Sequence, residues 1–278
     1  MDNSIPDTNN APRAGKESLS MEDHRSWKEV QDSLKNKLIA EDDFSWKIPM
    51  SGPRRSLSME EEEEVELGEV LEYVGGVDIS FSKKDSSVAC GILVVLDLHS
   101  LEVVYEDFSV VTLHVPYVPG FLAFREAPVL LQLLEKMKNC ANPFYPQLLM
   151  VDGNGVLHPR GFGLACHLGV VANIPTIGVG KNLHHVDGLT LSGVKELLKA
   201  RKNSCGDFIN LIGDSGHVWG VAIRSTENLL KPIFISIGHR ISLEAAIKIV
   251  KMTCKYRVPE PIRQADIRSR DYLRKHEL

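Results

Sequence analysis

Apolar and polar residues follow two different periods along this chain, and the change from one to the other outlines its elements. Residues 74–81, 88–96 and 101–113 are β-rich runs. Short polar turns, Lys83-Lys-Asp-Ser86 and Asp97-Leu-His-Ser100, join them as in an antiparallel meander. Residues 122–139 then take helical spacing, with Leu130, Leu133, Leu134 and Met137 on one face. An apolar run ending at Asp152, a glycine-flanked helix over 161–172 and a strand over 176–180 complete the order βββαβαβ. A right-handed crossover in such a unit places the fourth strand parallel to the first. Further strands are predicted at 208–211, 218–223 and 233–237, and two basic helices at 242–256 and 260–275. The expected class is therefore α/β, a mixed sheet of three antiparallel strands plus parallel strands, flanked by helices. No internal repeat is visible.

Before residue 73 the pattern is different. Residues 1–20 are rich in Asn, Ser, Pro and Asp and are expected to be a disordered tail, since such a composition buries too little apolar surface to fold. Residues 21–37 have helical spacing at Trp27, Val30, Leu34 and Leu38 and are expected to pack on the main body; residues 51–64 read as a linker. Charge divides at the same place. Residues 1–72 hold 18 acidic and 9 basic side chains, and residues 73–278 hold 19 acidic and 23 basic, so the overall charge of −5 conceals a basic C-terminal part. The uninterrupted run from Glu60 to Glu64 is either a solvated segment or a competitor for a polyanionic ligand. The five cysteines are widely spaced, without a C-x-x-C pair, which argues for reduced thiols and an intracellular compartment, cytoplasm or nucleus. No apolar leader or stretch of membrane-spanning length is present, so a soluble, unprocessed chain is expected, and the terminal Lys275-His-Glu-Leu278 is not read as a retrieval signal.

Three carboxylates carry the candidate chemistry: Asp78 in Val74-Gly-Gly-Val-Asp78, Glu126 in Phe121-Leu-Ala-Phe-Arg-Glu126, and Asp152 in Leu149-Met-Val-Asp-Gly-Asn-Gly155. Asp78 and Asp152 interrupt runs that otherwise read as buried strands. A carboxylate there is costly unless a cation or hydrogen-bond donors compensate it. If the first and fourth strands are neighbours, both aspartates project side by side, and Glu126 approaches from the first helix. Hard oxygen ligands favour magnesium, with manganese able to substitute, over zinc. Such a cluster suits phosphodiester hydrolysis, in which the metal activates water and stabilises the departing oxygen.

Taken together, Val74-Gly-Gly-Val-Asp78, Pro116-Tyr-Val-Pro-Gly-Phe-Leu-Ala-Phe-Arg-Glu126, Val151-Asp-Gly-Asn-Gly-Val-Leu-His-Pro-Arg-Gly-Phe-Gly-Leu-Ala165, Gly178-Val-Gly-Lys181 and Ser236-Ile-Gly-His239 resemble the endonuclease V family. Phe121-Leu-Ala-Phe124, Ala165-Cys-His-Leu-Gly169 and the Pro259–Arg270 segment resemble its animal branch more than the bacterial one. The resemblance implies an RNase H-like core, with residues 73–278 as the catalytic domain and 21–72 as a helical segment with an acidic linker. It implies cleavage of inosine-containing, single-stranded RNA at the second phosphodiester bond 3′ to inosine, leaving 3′-hydroxyl and 5′-phosphate ends. Asp78, Asp152 and Glu126 would hold the metal, Glu126 directly or through water, and Lys181 and His239 would lie beside the scissile phosphate. Pro116-Tyr-Val-Pro119 resembles the family's wedge, with Tyr117 the aromatic plate that fills the gap left by an extruded base. The extruded base would enter a pocket bordered by Gly120, Leu122, Gly163 and Leu164, with His158 alongside.

Other residues take blander readings. His184 and His185 are adjacent and cannot both face one site on a strand, so neither is assigned a role. His167 reads as a helix-core residue. Arg257, Arg263, Arg268, Arg270 and Arg274 either track phosphates or pair with Asp266, Asp271 and Glu260 on the same helices. Two other functions fit the same residues: a repair endonuclease acting on deoxyinosine in DNA, and a non-catalytic inosine reader, against which the intact carboxylates argue.

Overall fold

The computed structural model describes residues 21–49, 68–200, 208–225 and 231–278. The expected tail at 1–20, the linker at 51–64 with its acidic run, and Cys205 lie outside the described residues.

Strands β1 (Tyr73–Phe81), β2 (Val88–Asp97) and β3 (Val103–Thr112) form the antiparallel meander. Helix α2 (Leu122–Asn139) then crosses to β4 (Leu148–Asp152), which runs parallel to β1; α3 (Leu164–Ala172) leads to β5 (Thr176–Gly180), parallel to β4. With β6 (Phe208–Ile212), β7 (Val218–Ile223) and β8 (Ile233–His239), all antiparallel to their neighbours, the sheet has eight strands in the order β3-β2-β1-β4-β5-β8-β7-β6. This is the mixed α/β sheet expected from the sequence, with antiparallel β1 to β3 and the parallel set β1, β4 and β5.

Period-two alternation splits β1 and β4 between two cores. Val77, Leu149 and Val151 pack against Ala123, Ala127, Leu130 and Leu134 of α2 and against α3. Val74, Leu148 and Met150 face the other way, toward α5 (Leu243–Thr253) and α6 (Glu260–Lys275). Gly76 lets α6 approach, because a Cβ there would meet the Pro261 carbonyl oxygen at 2.1 Å. About two turns of α6 further on, Ser269 and Ser80 share a buried hydrogen bond of 2.8 Å.

The sequence reading misses one element and misplaces two helix starts or faces. Helix α4 (Leu191–Ala200) covers β6 and β7 with Val194 and Leu198, and Thr190 accepts from Gly193 N at its start. Helix α3 starts at Leu164 rather than 161, since Gly161 takes a turn with φ of 63°. Helix α1 (Met21–Lys35) does pack on the body, but through Trp27, stacked on Phe124 with centroids 5.1 Å apart, and through Gln31; Val30 is 44% exposed. After α1 the chain stays docked on the body. Arg240 N donates to Ile39 O, Ser242 N donates to Asp42, Trp46 is buried, and Lys47 bridges to Val70. No helix among the described residues is long and apolar enough to cross a membrane.

Candidate metal centre and adjoining pocket

In the parallel pair of β1 and β4, Val77 lies opposite Val151, so the next residues, Asp78 and Asp152, emerge together on the face covered by α6. Asp266 comes down from α6 to join them. Carboxylate oxygens of Asp78, Asp152 and Asp266 all lie within 4.8 Å of one another. Among the described residues this is the group able to hold a metal ion. Glu126 is not one of the three, although it lies near enough for the charges of Asp78 and Asp152 to act on its carboxyl. The structure brings together the two strand aspartates singled out from the sequence and adds Asp266, which the sequence offered only as an ion-pair partner. Its only signal was an acidic position on the inner face of a basic helix, which is indistinguishable from an ordinary helix ion-pair partner.

Electrostatics show how much the cluster lacks positive charge. Burial, reinforced by Asp152 and Asp266, raises the Asp78 pKa to about 7, with Lys181 and the Ile79 backbone N–H opposing. Burial and then the charge of Asp78 raise Glu126 to about 7 as well. Lys181 Nζ lies 2.5 Å from Asp152 and 3.9 Å from Asp266, and Arg270 lies 2.6 Å from Asp266. Burial disfavours the charge on Lys181, but Asp152, Asp266 and Asp78 outweigh it and hold its pKa above the usual value. Three close, partly buried carboxylates, with Asp78 held partly protonated by its burial and its acidic neighbours, fit a hard divalent cation. The cluster opens into a groove of about 1170 Å³ whose lining also carries Lys83, Lys84, Arg270 and Arg274.

His239 is a correction. It pairs with Thr176 at the start of β5, whereas Asp152 pairs with Val179 and Lys181 follows the end of that strand. At roughly 3.3 Å per residue the two ends of β5 are more than about 10 Å apart. His239 is buried, and its Nδ1 accepts a hydrogen bond from Ile39 N at 3.3 Å, so its place is structural. The basic positions on α6 divide. Arg263, Arg270 and Arg274 pair with Glu260, Asp266 and Asp271 on their own helix, while Arg268 reaches across to Glu106 on β3. Arg257 instead donates to the carbonyls of Lys181, Lys231 and Pro232.

Beside the groove is a smaller cavity of about 90 Å³. Tyr117, Gly120, Leu122, His158, Gly163 and Leu164 line it, six of the eight residues that the sequence assigned to base binding; Pro116 and Pro119 are exposed in the same loop but outside the lining. Gln31, Ala123, Gly153, Asn154, Phe162 and His184 complete it. His184 faces the cavity near His158, with ring centroids 6.4 Å apart, while His185 is absent from the lining. Burial, then His184, lowers the His158 pKa to about 4, so its ring is neutral near pH 7. His158 Nδ1 accepts from Arg160 N at 3.2 Å, which leaves Nε2 to carry the proton. His167 is a helix-core residue as expected, its ring beside those of Phe124 and Phe162. Tyr117 is 61% exposed at the cavity mouth. The groove and the cavity meet along one stretch of backbone: Asp152 lines the first, and the next two residues, Gly153 and Asn154, line the second.

Comparison with known proteins places this geometry. Residues 54–267 match the Endonuclease V family. The chain is 46% identical to mouse (Mus musculus) endonuclease V over 265 residues, covering 95% of this chain and 72% of that one. The crystal structure of the catalytic domain of human endonuclease V superposes with a TM-score of 0.82 at 44% identity, over 93% of this chain and 98% of that one. Ciona intestinalis endonuclease V, solved with a DNA 24mer containing an inosine followed by a ribo-adenosine, superposes with a TM-score of 0.78 at 35% identity, over 91% of this chain and 99% of that one.

Proposed function

The chain belongs to the endonuclease V family and is a nuclease, and from that premise we propose that it cleaves inosine-containing, single-stranded RNA at the second phosphodiester bond 3′ to the inosine. The products would carry 3′-hydroxyl and 5′-phosphate ends. The observation that carries this reading is the continuity of Asp152, Gly153 and Asn154 between the carboxylate groove and the small cavity. A base held in the cavity fixes the strand relative to the carboxylates, so the cut falls at a set distance from the base that is read. The ribo-adenosine next to inosine in the Ciona complex supports a ribose at the reacting position.

Asp78, Asp152 and Asp266 would hold magnesium or manganese, which when bound stabilises charge on the phosphate and favours hydroxide over water. Lys181, in the same groove, offers its ammonium to the phosphate oxygens. Glu126, with its pKa raised to about 7, is suited to hold a proton near neutrality and to complete the cluster through water. Tyr117 takes the place of the extruded base in the stack. Gly120, Leu122, Gly163 and Leu164 border the base, and the proton on His158 Nε2 suits the O6 acceptor of hypoxanthine and opposes the amino group of adenine. We place the chemistry in residues 73–278 and the enzyme inside the cell, in cytoplasm or nucleus.

The test uses single- and double-stranded RNA and DNA oligonucleotides, each with one inosine or a matched adenosine, in magnesium, manganese or EDTA. Metal-dependent cutting of inosine RNA, two bonds downstream, is expected. Equal cutting of the adenosine control removes the inosine reading, faster cutting of deoxyinosine DNA replaces RNA as substrate, and binding without cutting makes the protein a reader.

A further inference from the structure

Gln31 is a polar residue on the face of α1 that packs inward, and it is 1% exposed. Its Nε2 donates to Gly120 O at 3.1 Å and to Phe162 O at 3.0 Å. Gly120 ends the loop that carries Tyr117, and Phe162 precedes Gly163 and α3, so one amide group joins the two walls of the small cavity across 89 and 131 residues of chain. Two acceptors on one nitrogen cannot be more than about 6 Å apart. The other end of the amide is fixed too: Oε1 accepts from Arg160 Nε, and Arg160 is itself paired with Asp32 at 2.8 Å and lies over the Phe121 ring. Lys35 Nζ closes the arrangement by donating to Arg160 O at 3.0 Å. Gly120 takes φ of 85°, so the loop turns sharply at the carbonyl that Gln31 holds.

We propose that Gln31 is a positioning residue for base recognition: it sets the separation of the Gly120 and Phe162 carbonyls, and α1, which precedes the region matched to the family at 54–267, is thereby a working wall of the pocket. The proposal rests on the reading of the small cavity as the base pocket. Replacing the amide by an apolar chain leaves two carbonyls and a guanidinium N–H without partners, and the walls part to reach water. A carboxylate at this place repels both carbonyls and parts them further. The carboxylate groove contains no group from α1, so catalysis on bound substrate is left alone.

The experiment measures kcat and KM separately for the full chain, Gln31→Met and Gln31→Glu, on single-stranded RNA with inosine or adenosine at the read position. Gln31→Met should raise KM for inosine RNA about tenfold and narrow the preference over adenosine, with kcat within about threefold of wild type; Gln31→Glu should go further in the same direction. A wild-type protein with no inosine preference overturns the base-pocket reading itself. A selective wild type whose Gln31→Met variant keeps the same KM and preference overturns only the role of Gln31, as does a fall in kcat with KM unchanged. If the Gln31 variants do not fold, Asp32→Asn loosens Arg160 from the surface, where Asp32 is 55% exposed. It should raise KM about twofold, and an unchanged KM there also overturns the proposal.

Discussion

Asp266 shows at the scale of one residue what tertiary packing adds to a motif. It shares the metal-binding group with Asp78 and Asp152, yet it also ion-pairs with Arg270 one turn along its own helix. Asp266→Asn keeps the shape of the side chain and removes its charge from the cluster. The rate of inosine-RNA cleavage in magnesium should fall at least roughly 100-fold while binding in calcium stays near wild type. A rate within tenfold of wild type would show that Asp78 and Asp152 suffice without it. The two strand aspartates were legible because a carboxylate inside an apolar run is costly without compensation, and that anomaly is visible in one dimension. Asp266 breaks no such rule, since its helix is polar and its neighbours Arg263, Arg268 and Arg270 supply ordinary partners. Gln31 was hidden for a related reason: a glutamine at helical spacing looks solvated until both of its carbonyl partners, far away in sequence, are in place. His239 misled because a shared motif says nothing about which end of a strand a residue occupies.

At the scale of elements, the position of Asp266 depends on how closely α6 lies on β1. Gly76 sets that distance, since its absent side chain makes room for the Pro261 carbonyl. Gly76→Ala should force α6 outward, lowering stability by about 1–3 kcal/mol and the melting temperature by roughly 2–10 °C. Calorimetric titration with manganese should register a weaker site in the same variant, because Asp266 moves with the helix. Unchanged manganese affinity in a destabilised Gly76→Ala protein would mean that α6 pivots elsewhere and Asp266 stays in place. Strands β1 to β5 were legible because their apolar runs are bounded by polar turns and their order forces a parallel crossover. The helix α4 was not, its apolar positions being few and shared between a buried Val194 and Leu198 and an exposed Leu197. Helix α1 was legible as a helix but not in its facing, since apolar spacing suggested Val30 and packing selected Gln31.

At the scale of the whole molecule, stability, metal and charge are linked. In EDTA the folded state keeps protons on Asp78 and Glu126 up to about pH 7, whereas the unfolded chain releases them nearer their ordinary values of 3.8 and 4.5. The native state therefore binds more protons across that window, and stability must fall as pH rises from about 4 to 7. Magnesium takes the place of those protons, so the gain in melting temperature it gives should be small near pH 5 and larger near pH 8; an equal gain at both would show that these carboxyls are already ionised without metal. The division of charge leads to a second expectation. Residues 73–278 carry four more basic than acidic side chains, while the acidic run from Glu60 to Glu64 precedes them in the same chain. If the run competes with RNA, changing all five positions, Glu60→Gln through Glu64→Gln, should tighten RNA binding several-fold at about 50 mM salt, and the advantage should vanish at about 0.5 M, where screening acts within a few ångströms. This substitution leaves α1 and Gln31 untouched, which a truncation through Glu64 would not, so a change in affinity reports on charge and not on a lost pocket wall. Identical RNA affinity at low salt would make the run a solvated connection with no part in substrate access.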